Sequence, residues 1–340
     1  MKELKKYTIS ITPSDTLFFR RGFPFSIGEE TWIETGVFPN PSVIWGSLFS
    51  TMLADKHIRI KDKSSLIING IFLHKKEEHA AKILISAPLD IFYKKDKKDS
   101  YKGIYKEAKN IISNYPTYLP YLTKPNIEEK VENTANCFID WIDFTENYPK
   151  QNGATRIYNA DYFTAIISKV GITRSNTTRT SEEGKLYRMD MNEYKNGWSI
   201  IVEFEAPNFT SEGILKLGGE GKTAKYQLIP QLIEKPIIKD TEDSFFKLYF
   251  QTPAFFESGN GLLELSKLKH AQLISASIGK PISIGGFDME KKQPKVMKKA
   301  VPAGSIYLFE GNPFKSNEEI KILLDGEDRK KGFGIYHLIN

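Results

Sequence analysis

A single cysteine, Cys137, stands among 340 residues, which excludes an internal disulfide and any cysteine-cluster metal site. The five histidines, His57, His74, His79, His270 and His337, show no zinc spacing. A G-x-S-x-G nucleophile elbow is missing as well. No apolar run approaches the roughly 20 residues a membrane helix needs. The opening Met1–Lys6 passes straight into an alternating segment without a signal peptide's apolar core. These absences fit a cytoplasmic protein with no membrane partner and no cofactor, and they leave few catalytic or metal-binding candidates.

What is present is length, aromatic surface and positive charge. At 340 residues the chain exceeds one ordinary core, and two domains are expected. Twenty-two phenylalanines and 16 tyrosines supply surface for packing or for stacking on bases. The formal charge of +6 favours polyanionic partners without establishing one.

Periodicity predicts an α+β chain. Tyr7–Pro13 alternates as a half-buried strand. A loop carrying Arg20 and Arg21 follows, and Asn40-Pro41 then opens a helix whose apolar face is Ile44, Leu48, Met52 and Leu53. Its other face holds the small residues Ser42, Gly46, Ser47 and Ser50. Residues 94–150 read as a lysine-rich insertion with surface helix. A short helix is expected at "NADYFTAIIS", and a basic β-hairpin over Gly171–Asp190. A strand–helix–strand series recurs on both sides of about Lys235. Two domains with antiparallel sheets, 1–235 and 236–340, are the predicted organisation.

The stretch "LKLGGEGKTAKYQLIP", Leu215–Pro230, ends like a phosphate-binding P-loop, with Lys222 and Thr223 in place. The first glycine of G-x-x-x-x-G-K-[ST] falls on Lys216, however. A short helical stretch ending near Leu217 is expected before the loop, and an alternating strand after it, with no phosphate-facing helix. The loop therefore reads either as a tight connection or as an anion nest built on Gly218, Gly219 and Gly221 beside Lys222.

Other candidates are weighed the same way. The start of the Asn40 helix offers free amides to a phosphate, or is an ordinary capped helix. The hairpin gathers Arg174, Arg179, Lys185, Arg188 and Tyr187, residues that suit single-stranded RNA or a solvated tip. Asp140 and Asp143 read as a solvated helical face or a metal pair. His57 is the one histidine with a place in metal-free RNA cleavage.

Several of these pieces share an order. "DTLFFRRGFPF", "PNPSVIWGSLFST", "SAPLD", "VGITRSNTTRTSEEGKLYRMDM", "LGGEGK", "GKPISIGGFD" and "KAVPAGSIYLFE" together resemble the third subunit of the type III-B CRISPR-Cas Cmr effector complex, in the RAMP superfamily. The resemblance runs from about Tyr7 to Phe309. It departs at Arg21, where an acidic residue is expected, and at Phe287, where tryptophan is common.

The resemblance implies two ferredoxin-like domains and a non-catalytic subunit. That subunit holds the 5′ tag of the CRISPR RNA and docks the large polymerase-like subunit and the first backbone subunit. Target RNA is met only indirectly. The implied RNA-binding residues are Arg20, Arg21, Ser42, Trp45, Ser47, Arg174, Arg179, Gly218, Gly219, Gly221, Lys222, Gly285 and Gly286. Two alternatives stay open: a RAMP endoribonuclease that processes precursor CRISPR RNA, and the equivalent subunit of a type III-A complex.

Overall fold

The computed structural model describes residues 3–20, 32–33, 35–77, 81–94, 100–107, 119–126, 128, 130–150, 155–174, 178, 180–231, 233–234, 244–288 and 293–339, with the backbone alone for 32–33, 172–174, 181–186 and 287–288. In chain order the main elements are β1 (Lys5–Pro13), α1 (Pro41–Ala54), β2 (Ile67–Lys75), β3 (Lys82–Ser86), β4 (Phe138–Asp140) and β5 (Ile157–Tyr158). The hairpin strands β6 (Thr164–Arg174) and β7 (Ser181–Tyr194) follow, then β8 (Trp198–Ala206), β9 (Glu212–Lys216) and β10 (Thr223–Leu228). The last part comprises β11 (Ser244–Phe250), α2 (Leu262–Leu265), β12 (Ala271–Ser277), β13 (Ile306–Gly311), α3 (Pro313–Leu324), α4 (Glu327–Lys330) and β14 (Tyr336–Ile339).

The chain is a mixed α and β structure with antiparallel sheets. An eight-stranded sheet runs β5-β4-β3-β2-β8-β1-β10-β9, and a four-stranded sheet runs β12-β13-β11-β14. One order appears in both. Counted by position in the chain, β2-β8-β1-β10 and β12-β13-β11-β14 are each 2-3-1-4, with a helix between the first and second strands.

Strand β8 shows why the two sheets lie back to back. Its residues Ile200, Ile201 and Val202 are all fully buried, and successive side chains of a strand point to opposite faces. Ile200 and Val202 pack with Ile44, Leu48 and Met52 of α1, whereas Ile201 packs with Tyr249, Ile306 and Ile339 of the second sheet. The first sheet is thus covered by α1 on one face and by the second sheet on the other.

The seam also contains hydrogen bonds and an ion pair. Tyr249 donates to the Ser86 carbonyl at 2.6 Å, and Gln251 to the Ile71 carbonyl at 2.8 Å. The "SAPLD" segment meets the Pro-Ala-Gly turn where the Leu89 amide donates to the Gly304 carbonyl at 2.8 Å. Asp90, 2% exposed, accepts from Lys247 Nζ at 2.6 Å and from the Tyr148 hydroxyl at 2.8 Å. Lys247 also lies 4.6 Å from the Tyr148 ring centre. Burial and the Asp90 charge push the Tyr148 phenol well above its ordinary range, so it remains a donor.

Several sequence expectations are corrected. Residues expected to form a helix before the glycine loop are strand β9, because Ile214 and Leu215 pair with Lys225 and Ala224 of β10. "NADYFTAIIS" is a 3-10 turn, Ala160–Tyr162, running into β6, where Ile166 and Ile167 pair with Asn192 and Met191. Within 94–150 the described residues form short strands, not a surface helix, and a π-helical turn over Asp143–Asn147. Phe138, Trp141, Phe144 and Tyr148 of that region are buried. Helix α3 was not anticipated, although Asn312-Pro313 repeats the Asn40-Pro41 start and the Asn312 side chain caps the Lys315 amide at 2.9 Å. No helix among the described residues is long and apolar enough to cross a membrane.

Removing the cation while leaving a buried carboxylate strands an uncompensated charge. Lys247→Met should lower unfolding stability by about 3 kcal/mol, measured by denaturant titration. The double variant Asp90→Asn/Lys247→Met should lose less than Lys247→Met alone, and an equal or larger loss would contradict the pairing.

Candidate nucleic-acid interface

The segment Leu17–Arg20 is held on three sides. The amides and carbonyls of Leu17 and Asn192 exchange two hydrogen bonds of 2.8 Å, tying the segment to hairpin strand β7. Phe18 is buried against Met189 and Met191 of the same strand. Beyond it, Phe19 donates its amide to the Thr35 hydroxyl at 3.0 Å and accepts from the Gly36 amide at 2.7 Å. Arg20 bridges to Thr35, and its side chain stays exposed. Asn192 is fully buried and donates to both the Thr35 hydroxyl and the Gly36 carbonyl, at 3.0 and 2.6 Å.

The third side is the glycine loop. The Gly219 amide donates to the Phe18 carbonyl at 2.9 Å. Gly218 has φ +79°, and a Cβ there would lie 2.4 Å from the Phe18 oxygen, so no larger residue fits this approach. Gly221, at φ +63°, faces open space. Beyond the Gly219 amide, the Lys222 amide donates to the Gly219 carbonyl at 3.3 Å. Among the described residues the amides of Gly218, Glu220 and Gly221 have no backbone partner.

Helix α1 is joined to the root of the loop. The Ser47 hydroxyl is buried and donates to the Lys216 carbonyl at 2.5 Å. Trp45 is engaged inside the fold too: its indole N–H donates to the Leu66 carbonyl at 3.1 Å, and its ring stacks on Phe49 at 4.6 Å. Ser42 is half-exposed at the helix start. Asn40 sits at the cap position without a side-chain cap bond, and the first turn has no acidic residue.

Lys222, which sequence reading took as a bare cation, is an ion-pair partner. Its ammonium contacts the Asp15 carboxylate. That hydrogen bond, more than any other contact, lowers the Asp15 pKa to about 2. The folded-state value is depressed, so the pair is complete above the ordinary carboxylate range and is lost as pH falls through about 2. Lys169 of β6 adds positive potential at Asp15, and Lys216 is exposed beside the loop. Asp15 and Lys169 escaped sequence reading because no local pattern marks them, and Lys216 because its segment reads as helical when it is strand β9.

The remaining candidates are placed as follows. Arg21 and Arg179 lie outside the described residues, and Arg174 ends β6 with its backbone alone described. Arg188 contacts Ser168 at 2.7 Å and Asp190 at 3.5 Å. Gly285 and Gly286 form a separate corner, where a Gly285 Cβ would meet Met297 and the Lys295 amide donates to the Gly286 carbonyl at 2.9 Å. This corner approaches the start of α1 indirectly: Ile284 packs with Phe333, and a Cβ on neighbouring Gly332 would lie 3.3 Å from Pro41. Asp140 accepts from the Ile142 amide at 2.9 Å, and Asp143 from the Asn147 side chain at 2.7 Å. His57 has Nδ1 3.4 Å from the Asn208 amide group, and its Nε2 is buried without a partner.

The comparisons with known proteins agree with one another. The sequence profile of the family described as "CRISPR-associated protein (Cas_Cmr3)" matches residues 9–340. No curated protein matches the sequence. Two cryo-EM structures share the fold. One, of the type III-B Cmr-beta bound to cognate target RNA and AMPPnP, contains a chain 16% identical, with a TM-score of 0.56. The other, of Cmr-beta bound to cognate target RNA, contains a chain 17% identical, with a TM-score of 0.55. In both, the alignment covers 95% of this chain and 91% of the other.

The two loop glycines should respond differently to alanine. Gly221→Ala meets only the left-handed backbone penalty, about 1 kcal/mol. Gly218→Ala meets that penalty and must also displace Phe18, so its cost should exceed that of Gly221→Ala by about 1–2 kcal/mol. Denaturant titration of both variants measures the difference. Equal losses would contradict the close approach.

Proposed function

The chain belongs to the CRISPR-associated Cmr3 family, and on that premise we propose that it is a non-catalytic RNA-binding subunit of a type III-B Cmr effector complex. In this reading it holds the 5′ tag of the CRISPR RNA and meets target RNA only through that guide. Its protein partners are the large polymerase-like subunit and the first backbone subunit, and it works in the cytoplasm in antiviral defence. The observation that carries the reading is the convergence of Arg20, strand β7 of the basic hairpin and the glycine loop on one segment, Leu17–Arg20.

The chemistry of that surface suits a single-stranded phosphate backbone. In this reading the amides of Gly218, Glu220 and Gly221, which have no backbone partner among the described residues, serve as donors to phosphate. The Asn40 end of α1 offers first-turn amides and a dipole to a phosphate. Arg20, Lys169 and Lys216 supply charge, and the sequence adds Arg174 and Arg179 to the same hairpin. Ser47 and Trp45 act differently in this reading. They hold α1 against the loop and the core, and leave phosphate contact to their neighbours. Gly285 and Gly286 form a separate corner, and in this reading they contribute no direct contact beside the α1 start.

The repeated 2-3-1-4 strand order supports reading the chain as two ferredoxin-like units, over 1–235 and 236–340, with 94–150 inserted in the first. The two structurally similar chains come from type III-B Cmr-beta complexes, which favours that assembly over type III-A. The endoribonuclease alternative uses His57 or a tyrosine as base, and His57 would have to reach a ribose hydroxyl. Burial of its Nε2 and the Asn208 contact at Nδ1 speak against that role.

Purification of the tagged protein from its host, followed by sequencing of bound RNA, tests the assignment. Short RNAs sharing a repeat-derived 5′ end are expected. RNA without a shared end, or cleavage of repeat RNA that His57→Ala abolishes, would overturn it.

The Asp15–Lys222 pair yields a second prediction. Asp15→Asn removes the carboxylate paired with the loop lysine and frees its charge for phosphate. RNA affinity at low salt should rise roughly fivefold, and the gain should shrink as salt increases. Filter binding across a salt series measures both, and weaker binding by Asp15→Asn would contradict Lys222 as a phosphate contact.

A further inference from the structure

The seam between the sheets contains a cavity of about 400 Å³ that the RNA-binding surface does not use. Strand β2 supplies one wall, and the end of α3, α4 and β14 supply the other. The volume lies in the range of small-molecule pockets.

Its charge is one-sided. Lys321, Arg329 and Lys330 line it, against the single carboxylate of Asp325. Asp325 Oδ1 accepts from the Gly326 amide at 2.9 Å. Lys321 pairs with Glu318 at 2.6 Å, at an exposed position where such pairs contribute little. Lys330 makes no ion pair among the described residues.

Arg329 is the most telling group. Its Nη1 donates to the Ile68 carbonyl at 3.0 Å, and no carboxylate reaches it within ion-pair distance among the described residues. Burial lowers its pKa, while Tyr336, Asp325 and Glu205 act on it only as nearby negative potential. A half-buried guanidinium without a paired carboxylate gains from an anion that joins it. Its planar fork matches phosphate oxygens.

The rest of the lining mixes the apolar Ile67, Leu324, Ile335 and Leu338 with the polar Asn69, Asn317, Tyr336 and His337. A ligand that satisfies both walls carries a phosphate and a flat, weakly polar body. We propose that this cavity binds a nucleoside monophosphate, with its phosphate on Arg329 and Lys330 and its base against Ile67, Leu324 and Ile335. The proposal is independent of the RNA-binding reading, and each stands if the other fails.

Isothermal titration of the full chain with AMP, adenosine and inorganic phosphate tests it. AMP should bind with a Kd on the order of 10–100 µM, at least tenfold more tightly than adenosine or inorganic phosphate. Lys330→Gln should weaken AMP about fivefold, and Arg329→Met should abolish binding. Arg329 also holds the Ile68 carbonyl, so the solvent-side Lys330→Gln variant keeps the test decisive should Arg329→Met fail to fold. No AMP binding at about millimolar concentration would overturn the proposal, as would equal affinity for AMP and either fragment, or AMP binding unchanged in Lys330→Gln.

Discussion

The close approach of Gly218 to the Phe18 carbonyl is the contact on which the candidate surface depends. A residue without a side chain lets one backbone settle on another, and the Gly219 amide then closes the contact with a hydrogen bond. The Phe18 ring, turned toward Met189 and Met191, fixes the same segment to the hairpin. One short stretch of chain therefore carries strain relief on one side and hydrophobic packing on the other. Arg20 leaves this stretch at a defined position because its two predecessors are buried.

The loop lysine gains its order from the same arrangement. Asp15 lies just before the segment, and its carboxylate holds Lys222 in place in the free chain. An anion that displaces Asp15 meets a cation already oriented, which lowers the ordering cost of binding. The seam between the sheets is held by a separate set of contacts. Strand β8 is apolar on both faces, and the Asp90–Lys247–Tyr148 network joins parts of the chain separated by up to 157 positions.

Local chemistry was legible in the sequence where the signal is local. The alternation of Tyr7–Pro13, the Asn40-Pro41 helix start, the hairpin and the strand after the glycine loop all follow from neighbouring residues. Misreadings arose where distant partners decide the outcome. Ile214 and Ile166 tolerate helix or strand by propensity, and pairing with Lys225 and Asn192 makes both strands. Lys222 was visible as a cation, but its partner lies 207 positions away. Ser47 read as a small residue for RNA approach, yet its hydroxyl is occupied by Lys216, on a strand that no pattern near α1 announces. Helix α3 is different: its start signal was present in Asn312-Pro313 and went unread.

The central claim is that separate parts of the chain form one RNA-binding surface around Leu17–Arg20. Ultraviolet crosslinking of the bound CRISPR RNA, with peptides identified by mass spectrometry, tests it most directly. The account predicts crosslinks shared among peptides covering 15–20, 166–190 and 216–222, with the 5′ tag nucleotides attached to them. Crosslinks confined to the second sheet, or tag nucleotides attached to none of those peptides, would contradict it.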